Sequence, residues 1–145
     1  MKIEQINELQ KQFEVFELQE SIDSGAIWKM TGSSGRLAMQ CLQTGECFLP
    51  LESYMDYWGN RVPSRNDLAE GTQGTLENAQ NYWIDRMINM ENQIMQYVDR
   101  YSPLEIASFL SDYTKDQVFF MIDRMQSEQK VYFDTENDKL ATWSR

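Results

Sequence analysis

Residues 102–143 read SPLEIASFLSDYTKDQVFFMIDRMQSEQKVYFDTENDKLATW, and this stretch decides the fold because its start signals, stop signals and apolar spacing agree. Ser102-Pro103-Leu104-Glu105 is a capping box with proline at the first helical position. The hydroxyl and the carboxylate there can satisfy two backbone donors that a new helix leaves without partners. The helix is short: Leu104, Ile106, Ala107, Phe109 and Leu110 run into Ser111-Asp112-Tyr113, which reads as a turn. Thr114 then opens a second box with Gln117, and Val118, Met121, Ile122 and Met125 give the next helix a buried face until about Gln129. Lys130-Val131-Tyr132-Phe133 and Lys139-Leu140-Ala141-Thr142-Trp143 are rich in β-formers around the polar turn Asp134 to Asp138, so a hairpin completes the unit.

Working back from Ser102, Leu76 to Tyr101 reads as the longest helix, with Trp83, Ile84, Met87, Ile88, Ile94, Met95 and Val98 in helical period behind a Thr75 cap. Its C-terminal half is expected to lead the capped unit, and its N-terminal half to pack on residues 1–70. Ile3, Ile6, Leu9, Phe13 and Phe16 predict one amphipathic helix from Lys2 to Asp23, stopped by Gly25, with Glu4, Glu8, Glu14, Glu17 and Glu20 on its solvated face. Ala26 to Met30 reads as a short strand. Thr31-Gly32-Ser33-Ser34-Gly35 then reads as a capping loop into a helix from Arg36 to Gln43, closed by Gly45. Such a loop is an anion nest in principle, but it lacks the Gly-Lys-Ser/Thr ending of a phosphate loop. Glu46 to Pro50 is expected to be extended. In Tyr54 to Arg65, aromatics flank a Gly59-Asn60 turn signal and Arg61 and Arg65 follow. Such a loop either stacks rings or bases on its aromatics, or is pinned on the core by Tyr57 and Trp58 with its arginines paired to nearby carboxylates.

The fold class expected is therefore α+β and mainly helical. Residues 1–75 form an N-terminal helix plus a small α/β region with an irregular loop, and residues 76–145 form the long helix and the capped unit, all sharing one core.

The 145 residues, 41% hydrophobic, can bury a real core. A formal net charge of −10 and a pI near 4.4 oppose general attraction to phosphate backbones or anionic membranes, which rests on Lys and Arg. Most of that charge lies outside residues 25–75, where Glu46, Glu52, Asp56, Asp67 and Glu70 face Lys29, Arg36, Arg61 and Arg65. There is no histidine, so Cys41 and Cys47 cannot build a Cys/His zinc site within one molecule, and two cysteines are too few for a disulfide scaffold. No metal or other cofactor is expected. No apolar run nears the roughly 20 residues of a membrane span, which points to a cytoplasmic protein. Catalysis would need Asp, Glu, Tyr, Cys or Lys alone at no paired spacing, so an enzyme is not expected.

Residues 88–143 resemble the winged helix-turn-helix superfamily, whose pattern is a leading helix, a capped short helix, a recognition helix and a β wing. The resemblance implies a DNA-binding transcriptional regulator using Lys115, Arg124 and Lys130, with Arg61 and Arg65 in support. The residues depart from that pattern. Phe119, Phe120, Asp116 and Asp123 stand where small polar or basic groups meet base edges, and Asp134, Glu136 and Asp138 crowd the tip of the hairpin beside one Lys139. Residues 25–75 also resemble, loosely, uncharacterised phage and prophage proteins. The first expectation is therefore a protein-interaction module, an acidic adapter or regulator that meets a protein partner or a second copy through Phe119 and Phe120. Within it falls a phage-type inhibitor presenting carboxylates in place of phosphates. Phe119 and Phe120 sit about 100° apart on a helix, so one of them is expected to stay exposed. Any anionic ligand is expected at the 61–65 loop with Arg36.

Overall fold

In the computed structural model, which describes residues 1–30 and 32–143, the stretch from Lys2 to Asp23 folds as two helices rather than the single helix its apolar period predicts. These are α1 (Ile3–Gln12) and α2 (Phe16–Ser24), separated at Glu14, whose φ is 63°. The cause is a polar pair. Along one straight helix Gln10 and Gln19 would lie about 13 Å apart on opposite faces. The break folds them together, so that Gln10 Nε2 donates to Gln19 Oε1 at 3.0 Å with both side chains buried.

Gly25 closes α2 in the left-handed region at φ 85°, and Ala26–Lys29 follows as a 3-10 turn, not a strand. Its backbone groups bond locally, Trp28 N to Gly25 O and Met30 N to Ile27 O, and one turn suffices to bury Ile27. Helix α3 (Gly32–Thr44) starts four residues before the expected Arg36. Glycine and serine are tolerated in a first turn, where the N–H groups have no helical partner to lose. Thr31 of the expected capping loop lies outside the described residues. Gly45 (φ 101°) ends α3 as its position in the sequence suggests, and 46–50 runs extended, with Leu49 N donating to Gly74 O. Two residues each of β1 (Tyr54–Met55) and β2 (Arg61–Val62) pair antiparallel across the Gly59-Asn60 turn.

Thr75 Oγ1 accepts from Asn78 N and caps α4 (Leu76–Met95). That helix ends six residues before the expected Tyr101. Asp99 turns left-handed (φ 71°); its N–H donates to Leu140 O at 2.7 Å, and Leu140 N donates to Tyr101 O at 2.8 Å. A tertiary rung therefore overrides the apolar period. The period also misplaced α4's inner face: Trp83, Met87, Met90 and Ile94 are buried, whereas Ile84, Ile88 and Met95 are exposed.

Contacts divide the chain into two compact units between Asp85 and Arg86, inside α4 and ten residues beyond the expected boundary at 75/76. Ala79 and Trp83 explain the shift. Both are fully buried in the first unit, where the Trp83 indole donates to Glu46 O at 3.3 Å. The second unit continues with α5 (Pro103–Phe109), α6 (Lys115–Ser127), β3 (Val131–Asp134) and β4 (Lys139–Thr142), the strands antiparallel with Tyr132 opposite Ala141. Both capping boxes form as read: Ser102 Oγ accepts from Glu105 N, and Thr114 Oγ1 from Gln117 N. Ile94, Ile106, Val118, Met125, Val131 and Leu140 are fully buried, so every element of this unit contributes a side chain to its interior. The whole is α+β and mainly helical. No helix among the described residues is long and apolar enough to cross a membrane.

Candidate interaction surfaces

Helix α6 turns Val118, Met121, Ile122 and Met125 inward, which leaves Asp116, Phe119 and Asp123, spaced three and four apart, on one outward strip. Phe119 is 37% exposed and Phe120 is half-buried, so the stripe buries neither of the neighbouring rings fully. Lys115 is exposed at the helix start. The other two bases of this region are already engaged. Arg124 Nε meets Glu128 Oε1 at 3.0 Å, while Lys130 Nζ meets Glu91 Oε1 at 2.7 Å and Glu128 Oε2 at 3.0 Å. The hydrogen bond from Lys130 holds the Glu128 carboxyl below the usual glutamate range, and Glu91 with Glu128 pushes the ammonium of Lys130 up. On the hairpin between β3 and β4, Asp134 accepts from the backbone of Glu136 and Asn137 and from the Asn137 amide, which lowers its pKa.

In the first unit Arg61 and Arg65 point into different places. Arg61 Nη2 binds Asp67 Oδ2 at 3.0 Å and Ser53 Oγ at 3.3 Å, and lines an apolar cavity of about 300 Å³ with Trp28, Leu42, Leu49 and Val62. Arg65 lies over the Phe48 ring, donates to Leu49 O, and lines a second cavity of about 390 Å³ with Asp23 and Glu52. Burial holds the Asp23 carboxyl above its ordinary range. Arg36 is exposed on the second turn of α3 and lines neither cavity. The three arginines thus do not converge on one anion, and Arg61 already has a carboxylate.

Two features escaped the sequence reading. Glu128 is legible as an i+4 partner of Arg124, but nothing local marks Glu91 as the partner of Lys130. The other is the exposure of Tyr57 and Trp58, which a loop pinned by them would place on the core and which instead face solvent, because Tyr54 makes the core contact, donating to Ile22 O, while Asp56 holds the tip through the N–H groups of Trp58 and Asn60.

Cys41 and Cys47 are both free and buried, and their thiols share a hydrogen bond. That bond and burial push the Cys47 thiol far up, while donation from Cys47 lowers Cys41. Since the thiolate is the nucleophile, brief alkylation of the native protein is expected to label Cys41 first and Cys47 only on unfolding. Peptide mass spectrometry reads the order, and equal labelling would contradict it.

Comparison with family models, with curated proteins and with solved structures finds no match to this chain.

Proposed function

We propose that the chain is a small acidic, non-catalytic interaction module of winged-helix type, whose α6 face docks a protein presenting an apolar pocket with a basic rim. Phe119 is the anchor and Asp116 and Asp123 the rim, since aromatics dominate interface energetics and charges surround them. The order of elements supports the winged-helix assignment: helix, capped short helix, second helix and hairpin, with Asp99 to Tyr101 adding a short rung to β4. The observation that carries the choice of partner is the occupation of Arg124 and Lys130 by Glu128 and Glu91. Bases bonded to the protein's own carboxylates are not free to neutralise phosphates and so to release the counterions condensed on DNA. A second copy would bring the same acidic rim against this one, which is why the partner is basic.

A lysine-rich amphipathic helical peptide is the probe. It is expected to bind the intact protein and to bind Phe119→Ser at least tenfold more weakly, about 1.4 kcal/mol, with little change in melting temperature because the ring is partly exposed. Duplex DNA titrated in parallel is expected to bind negligibly at physiological salt. Equal peptide affinity for both proteins sinks the α6 reading, and DNA binding with a steep salt dependence installs the transcriptional-regulator reading instead.

A further inference from the structure

The most exposed aromatic side chains of the first unit stand at the tip of the β1–β2 hairpin. Trp58 is 75% exposed, Tyr57 66% and Met55 62%, and the two rings meet edge to face at 5.0 Å. The tip is fixed rather than loose. Asp56 Oδ1 accepts from Trp58 N at 2.9 Å and Asn60 N at 2.7 Å, Asp56 N donates to Asn60 O, and Gly59 supplies the left-handed turn residue at φ 83°. A rigid, solvent-facing aromatic pair is an interface anchor whose ordering cost is already met.

Beside it lies the apolar cavity of about 300 Å³, floored by Trp28, Leu42, Leu49 and Val62, with half-exposed Met39 at its rim. Asp56 and Arg61 line that cavity, and the tip residues Tyr57 to Asn60 fall between those two in sequence. Knob and hole therefore share one hairpin. Adjacent complementary features on one element permit reciprocal exchange about a twofold axis, in which each copy fills the other's hole and the contact closes at two.

Charge selects the occupant. Residues 25–75 hold five acids and four bases in a chain of net charge −10. Two copies can meet here with little repulsion, and the arginine that lines the cavity, Arg61, is already paired with Asp67. Aromatic side chains bury about 150–250 Å² each. At exposures of 75% and 66% the four rings of two tips can bury roughly 400–700 Å², and with the hole linings this is the size of a weak, transient association and not of a permanent dimer.

We propose that the chain forms a weak, twofold dimer by reciprocal insertion of Trp58 into the cavity lined by Trp28, Leu42 and Val62. The surface is independent of the α6 face. Sedimentation equilibrium on the full chain is expected to show a concentration-dependent monomer–dimer equilibrium. Trp58→Ser removes the knob and Met39→Arg obstructs the hole; each raises the dissociation constant at least tenfold with the fold intact by circular dichroism, as both side chains are surface-placed. Mixing the two variants restores part of the dimer, because the hole of Trp58→Ser still accepts the knob of Met39→Arg. A wild type that stays monomeric to about 1 mM, the weak end of specific association, overturns the proposal. So does a dimer that ignores Trp58→Ser, or one lost in Phe119→Ser and kept in Trp58→Ser.

Discussion

Replacing Gln19 by alanine is expected to destabilise the N-terminal unit by about 3–5 kcal/mol, read as the shift in a urea unfolding curve. The side chain is buried and every polar atom of it is used. Its Oε1 accepts from Gln10 Nε2 and from Phe48 N at 3.0 Å each, and its Nε2 donates to Phe48 O and to Asp23 Oδ1 at 2.9 Å each. Truncation leaves both backbone groups of buried Phe48 without these partners, at about 1–3 kcal/mol per group, and opens a cavity as well. Gln19→Leu refills the volume and still loses the bonds, so it is expected to recover less than half of the loss. Gln10 Oε1 already lacks a partner, so the network has no spare donor. A loss under about 1 kcal/mol, that of one ordinary hydrogen bond, would show that the network is dispensable.

Gly45→Ala is expected to cost about 3 kcal/mol or more, combining left-handed strain of about 1–2 kcal/mol with overpacking of similar size. A β-carbon at Gly45 would lie 2.7 Å from Asn78 O and 2.8 Å from Tyr82 Cβ. Neither atom is the tip of a flexible side chain, so the backbone of α4 would have to move away from the end of α3. Gly59 provides the comparison. Its φ is also positive, at 83°, but its added β-carbon would meet nothing within 4 Å, so Gly59→Ala should show only the conformational term. Thermal melts of the two variants separate strain from collision, and equal losses would mean that the contact with α4 yields freely.

The capped region was legible because its signals are local: Ser102 and Thr114 each find their bonding partner three residues away, and Val118 to Met125 repeat with the helical turn. Where the reading failed, a distant group decided. Lys2 to Asp23 breaks because Gln10 must reach Gln19 and Glu46 O, and two glutamines in a helical stretch carry no sign of that need. The end of α4 was missed because Asp99 and Tyr101 bond Leu140, some forty residues on. Of the candidate contact residues, the outward strip of α6 followed from period alone, with Phe119 more open than Phe120. The engagement of Lys130 by Glu91 did not, since that pair spans the full capped region.

The rung between Asp99, Tyr101 and Leu140 has a bearing on how the chain behaves in a crowd. Strands at the margin of a sheet offer unpaired backbone groups to any passing extended segment, the route to misassembly and fibre growth. With β3 along one side and residues 99–101 along the other, and with Asp99 also accepting from Thr142 N and Oγ1, β4 has no free margin along those residues. Among the described residues β3 pairs with β4 alone, which leaves the outer side of β3 as the open margin. That strand is four residues long, with Lys130 before it and Asp134 at its end, both charged and both held in place by hydrogen bonds. A short margin with a charge at each end is a poor template for another chain, so the apolar side chains Phe133 and Trp143 can stay partly exposed nearby without recruiting strands.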